Sequence, residues 1–234
     1  MLKRNYAVLS LLPIYLLVLL GITITGMVCN KAIETIAESK RTADRHTIII
    51  DPGHGGEDGG ATSCTGVLES KFNLDIALRL NDLMHLLGMN TLMIRDTDRS
   101  IYTQGETIAQ KKVSDLRERV RIINETDNAI VVSIHQNTFP DGQYWGTQVF
   151  YPNTGDSKEL AGQLQKQFQI SLTPQNKRVI KQTKGIYLME HIQCTGILVE
   201  CGFLSNPEER EKLKLPAYQQ QMAFAIMAGY WNAR

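Results

Sequence analysis

Short apolar runs rich in β-branched residues alternate along the chain with segments of helical spacing, and few folds accept that alternation. Thr47 to Ile50 is the first such run. Leu68 to Leu87 then carries Leu74, Ala77, Leu78, Leu80 and Leu83 near helical spacing, and Thr91 to Ile94 follows Gly88, a residue suited to a helix end. A second helix is predicted from Ser114 to Asn124 with Leu116, Val120 and Ile123 inward. Ala129 to Ile134 and Thr147 to Tyr151 read as strands, Ser157 to Ile170 as a helix, Gly196 to Val199 as a buried strand and Tyr218 to Trp231 as a closing helix. Strands separated by helices predict a three-layer α/β domain whose mainly parallel or mixed sheet is flanked by helices. At 234 residues the chain has room for one such core. A formal charge of +1 gives no field for a polyanion, so a nucleic-acid partner is not expected.

Ala7 to Thr25 stands outside this pattern, a 19-residue run without charge that follows Lys3 and Arg4. As a helix at ~1.5 Å per residue it spans roughly the 30 Å hydrocarbon layer. Residues 1–28 are therefore expected to form a signal-anchor helix. A cleaved signal is the alternative, although Thr25-Gly26-Met27 is a poor cleavage site, and Val28 and Met27 lack the small residue that would precede a lipidated Cys29. Either way Lys3 and Arg4 stay inside and the rest of the chain lies outside the cytoplasm. Residues 29–45 mix both charges and read as a linker, leaving residues 46–234 as the folded domain, with 20 basic and 21 acidic side chains beyond residue 44. Three cysteines in the domain, Cys64, Cys194 and Cys201, cannot all pair with one another. Cys194 with Cys201 is the one pairing considered, against three small, mostly buried thiols.

The chemistry concentrates where strands end. Directly after Thr47 to Ile50 comes Asp51-Pro52-Gly53-His54-Gly55-Gly56, with Gly59-Gly60 beyond. Its glycines let backbone approach a ligand, but the spacing matches neither a phosphate cradle nor a dinucleotide loop. Glu69 opens the first long helix 15 residues after His54, and His135 ends the run from Ala129. Singly, His54 reads as incidental to a flexible loop, Glu69 as a helix N-terminal charge and His135 as a core histidine. Together, two histidines and a carboxylate give a hydrolytic zinc three protein ligands and leave a position for water. Glu200 follows a predicted interior strand, where an unpaired carboxylate is costly. A metal with its water would compensate it, making Glu200 a general base, and an ion pair with an arginine such as Arg95 is the structural alternative. His46, His85 and His191 match no ligand position.

Six segments, in this order, resemble the zinc-dependent N-acetylmuramoyl-L-alanine amidases: IIIDPGHGGEDGGA (48–61), LESKFNLDIALRL (68–80), IRDTD (94–98), LRERVRIIN (116–124), SIHQN (133–137) and GILVECGFLSNPEE (196–209). The resemblance covers about residues 46–232. It implies a mixed sheet flanked by helices, similar to zinc carboxypeptidases, one Zn2+ held by His54, Glu69 and His135, and Glu200 as catalytic carboxylate. It further implies peptidoglycan as substrate, with cleavage of the amide between the lactyl group of N-acetylmuramic acid and L-alanine. Asn137 and the glycine-loop amides are candidates for substrate contacts. The stretch from Ser100 to Val120 and the N-terminal run together resemble the sporulation amidases of endospore formers, which strip stem peptides from spore cortex so that muramic-δ-lactam can form. That places the expected enzyme in the forespore or cortex compartment. Thr138 and Phe139 depart from the small residues common after the histidine, and proline is missing before the last strand; both bear on substrate preference. Because no separate wall-binding module is expected, an accessory protein is an expected partner. Another zinc peptidoglycan hydrolase, a carboxypeptidase or deacetylase, and a non-catalytic wall-binding domain are the remaining readings.

Overall fold

The computed structural model describes residues 16–31 and 46–234, with residues 13 and 34. The chain divides into two compact units, Met1–Ala43 and Asp44–Arg234. In the first, residues 16–31 are helical. Among the described residues no helix is long and apolar enough to cross a membrane, and the expected Ala7–Thr25 span lies partly outside them, as does most of the expected linker.

The second unit is built on one sheet. Its elements run β1 (Thr47–Pro52), α1 (Glu69–Leu86), β2 (Asn90–Met93), α2 (Ile108–Glu125), β3 (Ala129–Asn137), β4 (Gln148–Tyr151), α3 (Ser157–Ser171), β5 (Lys181–Gln182), α4 (Tyr187–His191), β6 (Thr195–Phe203), α5 (Pro207–Leu213) and α6 (Pro216–Asn232). The strand order is β2-β1-β3-β6-β4-β5. β2, β1, β3 and β6 are mutually parallel, and β4 runs antiparallel to β6, so the sheet is mixed. The central strands are apolar on both faces because both are covered. Ile49, Val131 and Leu198 pack with Ile123 of α2 and Leu188 and Met189 of α4. The alternate positions Ile48, Ile50, Ile130, Val132, Ile197 and Val199 are equally buried and point to the opposite face.

That alternation decides what reaches the site. Ser133 and His135 continue the Val131 face of β3, Asp51 continues the Ile49 face of β1, and Glu200 continues the Leu198 face of β6. His135 and Glu200 are register partners, and a bulge between His135 and Asn137 interrupts the ladder just beyond them.

Several expected boundaries move. β6 continues through Phe203, so Glu200 lies inside a strand and not after it. α2 starts at Ile108, ahead of the expected Ser114. Thr107 accepts from the Gln110 backbone while the Gln110 side chain accepts from Thr107, a reciprocal cap that starts the helix there. β5, α4 and α5 have two, five and seven residues, too few to show a period. All four cysteines are free, and Cys64 is exposed where a buried side chain was expected. Cys194 precedes β6 and Cys201 lies within it, so seven residues at about 3.3 Å each set them about 23 Å apart. A disulfide needs Cα atoms within about 7 Å, and the considered pairing fails.

Candidate metal and catalytic site

The loop after β1 leaves the sheet at Gly53, whose missing side chain is a requirement: a Cβ there would overlap the His135 imidazole. His54 follows with φ 61°, in the left-handed region that non-glycine residues seldom occupy. Two contacts hold it. Arg119 Nη2 donates to the His54 carbonyl at 2.8 Å, and His54 Nδ1 lies 2.9 Å from Asp58 Oδ2. Gly60, at φ +69°, passes so close to Glu69 Oε2 and the His54 ring that a Cβ would sit 2.6 and 2.7 Å from them. The loop thus closes around the cluster with backbone alone.

Glu69 is the first residue of α1 and is buried. Its carboxylate lies between the two imidazoles, with Oε1 2.9 Å from His135 Nδ1 and Oε2 3.4 Å from His54 Nε2. The Ala61 and Gln136 amides donate to it at 2.9 and 3.1 Å, and Asn73 Nδ2 at 3.3 Å. One donor atom each from His54, Glu69 and His135 lies within 4.8 Å of the others. Burial pushes the Glu69 carboxyl upward, but hydrogen bonds from His135 and His54 outweigh it and hold the group well below the usual carboxylate range. Burial likewise opposes charge on His54, yet Asp58 and Glu69 raise it to about 9.

Glu200 faces the same space from β6. Its Oε2 is enclosed and has no hydrogen-bond partner. Burial, reinforced by the Glu69 charge against the opposing histidines, pushes its carboxyl up to about 7. The ion pair with Arg95 does not form: the Arg95 side chain is fully buried elsewhere, donating to the carbonyls of Pro52, Gly53, Ser70 and Thr97. A cleft of about 380 Å³ opens over the cluster, lined by His54, Asp58, Lys112, His135, Tyr187 and Glu200 among others. A larger hollow of about 920 Å³ along α2 contains none of them and no histidine or cysteine.

Asn137 ends β3, where its carbonyl accepts from Leu204, and it is not among the residues lining the cleft. His46, His85 and His191 bond to Asn128, Thr91 and Tyr187, away from the cluster. Sequence reasoning passed over the residues behind the cluster. Arg119 pairs with buried Asp51 and, at 2.6 Å, with Asp115, and Ser133 donates to Asp51 at 2.6 Å. Asp58 also meets Lys112 at 3.2 Å. The Asp115/Arg119 spacing of four on one helix was a usable signal.

Two imidazoles and a buried carboxylate converging on a point, with the Glu200 Oε2 unpartnered in the same cleft, form a donor set that could hold a first-row divalent ion. Comparison with known proteins narrows the class. Residues 48–231 match the N-acetylmuramoyl-L-alanine amidase family. A germination-specific N-acetylmuramoyl-L-alanine amidase of Bacillus subtilis (strain 168) is 35% identical over 184 residues, covering 78% of this chain and 77% of that protein. The structure of the CwlD amidase from Clostridioides difficile, solved in complex with the GerS lipoprotein, superimposes with TM-score 0.77 at 37% identity over 80% of this chain and 97% of that one. An N-acetylmuramoyl-L-alanine amidase from Clostridium difficile 630 gives TM-score 0.69 at 30% identity over 80% and 95%. The chain belongs to the N-acetylmuramoyl-L-alanine amidase family, hydrolases of the bond between N-acetylmuramic acid and L-alanine in peptidoglycan.

Proposed function

We propose that the chain is a zinc-dependent amidase that removes stem peptides from spore-cortex peptidoglycan, and that His54, Glu69 and His135 hold the metal while Glu200 is the catalytic carboxylate. The observation that carries this is the triad of donors within 4.8 Å facing the unpartnered Oε2 of Glu200. The residues fit the metal: the set is the two-histidine, one-carboxylate combination of hydrolytic zinc sites, and glycine backbone fills the space side chains would occupy. When bound, zinc supplies Lewis acidity, polarising a carbonyl and acidifying a water molecule.

The chain's own groups do the rest. Glu200 accepts the proton of the attacking water as that water adds to the lactyl carbonyl carbon. As the carbon–nitrogen bond breaks, the same carboxyl returns that proton to the departing amine of L-alanine, and the proton left on the new lactyl carboxyl passes to the free amine, giving a lactyl carboxylate and a stem peptide with an ammonium terminus. A carboxyl raised toward 7 by burial suits both transfers near neutrality. Asp58 and Glu69 fix the imidazoles of His54 and His135. Asn137, next to the bulge, is proposed to contact substrate.

The stripped strands would feed muramic-δ-lactam formation, in line with the germination-specific name of the Bacillus relative. The GerS lipoprotein bound to the C. difficile enzyme supports an accessory partner here too. The uncharged Ala7–Thr25 run supports an anchor that sets the domain outside the cytoplasm, on a fold of the zinc-carboxypeptidase kind. Extraction of the full chain from membranes by salt without detergent would exclude that anchor. The reading as a whole is tested by incubating the full chain with denuded sacculi, with and without zinc, and analysing products by mass spectrometry. Free stem peptides beginning at L-alanine, released only with zinc, are expected; release of terminal amino acids or acetate instead would overturn it.

A further inference from the structure

The segment joining β3 to β4 carries a feature the reaction does not use. Phe139, Tyr144 and Trp145 lie on it with relative exposures of 48, 41 and 41%. Three exposed aromatic side chains within seven residues are an unusual outlay of apolar surface. Two of them pack together and toward the core: Phe139 meets Tyr144 edge to face at 4.6 Å, and Tyr144 lies 6.4 Å from the buried Phe203 ring. The backbone beneath them is tied down. Ser205 Oγ accepts from the Phe139 amide at 3.1 Å, Asn206 Nδ2 donates to the Gly142 carbonyl at 2.9 Å, and Glu209 accepts from the Gly146 amide at 2.9 Å. Arg178 donates to the Trp145 carbonyl at 2.7 Å while its guanidinium lies 4.6 Å over Phe203.

The shelf adjoins the cleft along the chain. Phe139 is four residues beyond His135, at most about 14 Å of extended backbone, and Phe203 is three beyond Glu200 on the neighbouring strand. Beside the rings a depression of about 580 Å³ is lined by Gln143, Gln175, Asn176, Lys177 and Arg178 as well as Tyr144 and Trp145. Exposed rings next to amide and guanidinium groups match a ligand with an apolar face and a hydroxyl-rich edge, which is the chemistry of a pyranose.

We propose that Phe139, Tyr144 and Trp145 form a subsite for the glycan strand of peptidoglycan, stacking against sugar faces while the polar rim receives hydroxyls and, on strands already stripped, lactyl carboxylates. This rests on the amidase reading, because the scissile bond joins that glycan to the stem and a strand must leave the cleft in some direction. Lys177 and Arg178 supply the charge that a stripped, anionic strand requires.

Trp145 makes the test direct. The chain has two tryptophans, so Trp231→Phe leaves Trp145 as the reporter. The full chain in this background, kept in chelator so that nothing is cleaved, is titrated with stem-free glycan strands and separately with free stem peptide. The strands should give a saturable change in Trp145 fluorescence that the peptide does not. Phe139→Ala or Tyr144→Ala should weaken strand binding by about tenfold, each losing one aromatic contact. Tyr144→Phe should retain it, and Phe139→Leu, keeping bulk but no ring, should match Phe139→Ala. No saturable response, an equal response to stem peptide, or undiminished binding by Phe139→Ala/Tyr144→Ala would overturn the subsite. Stem release from sacculi by the untreated enzyme separates the two readings: release without strand binding removes the subsite alone, and strand binding without release removes the amidase reading and leaves the subsite.

Discussion

Glu200 is defined by what it lacks. Asp51, fully buried, has Arg119 and Ser133; Glu200, partly buried, has one enclosed oxygen, Oε2, with nothing to bond. A carboxylate kept in that condition on a strand next to His135 is a local cost that a reacting water would offset. Glu200→Gln keeps the shape and removes the proposed base, so turnover on sacculi should fall by about 10²–10⁴. Zinc content by elemental analysis and the thermal midpoint should stay at the parental values; turnover within a few fold of the parent would remove Glu200 from the reaction. Asp58 acts at one remove. Its oxygen 2.9 Å from His54 Nδ1 fixes which ring nitrogen faces Glu69. Such outer partners are worth about 10–100-fold in metal affinity, and Asp58→Asn should lose that much in competition with a fluorescent chelator. An unchanged zinc affinity would show that loop backbone alone orients His54. The cluster itself was legible because each member ends or begins a recognisable segment. Asp58 was not, because an acidic residue in a glycine loop carries no period.

Elements are tied to one another by charges that hydrophobic spacing does not register. The expected β1, β2, β3, β4 and β6 and the four long helices all occur, since covered strands and amphipathic helices write their period into the sequence. Besides the short β5, α4 and α5, three details escaped: the early start of α2, the continuation of β6 through Glu200, and the buried link from α2 to β1. In that link Arg119 reaches Asp51 and the carbonyls of Pro52 and His54, and pairs with Asp115 four residues back on its own helix. Burial pushes the Asp51 carboxyl up, but Arg119 outweighs it and leaves the group below its ordinary value. Asp51→Asn would leave Arg119 with Asp115 as its remaining carboxylate partner and should cost about 3 kcal/mol, the low end for a broken buried pair, by urea denaturation at neutral pH. The sign with pH follows from the lowered value. The unfolded carboxyl titrates near 3.9, so the contribution is complete above about pH 4 and is lost as pH falls from there through the folded value. The gap between parent and Asp51→Asn should therefore narrow below about pH 4; a gap constant from pH 7 to pH 3 would mean that Asp51 acts through packing and not charge.

At the scale of the whole domain, the cluster joins elements distant in sequence: the loop after β1, the start of α1 and the end of β3 meet there. A ligand bound only by the folded arrangement therefore stabilises all of it at once. With free zinc at 100 times its dissociation constant the linkage amounts to about 2.7 kcal/mol. Each kcal/mol moves the midpoint of a domain this size by about 2–4 °C, so zinc against chelator should separate the melting curves by roughly 5–10 °C. His135→Ala removes a donor and leaves the glycine loop and Glu69 in place, so its curves with zinc and with chelator should coincide. Binding of zinc to cysteines of the unfolded chain would shrink the parental shift without creating a difference between the two proteins. The comparison between them, measured by differential scanning fluorimetry, thus isolates the folded site. A shift in His135→Ala as large as the parent's would mean that zinc stabilises the domain at some other place, and His54, Glu69 and His135 would lose their assignment as its ligands.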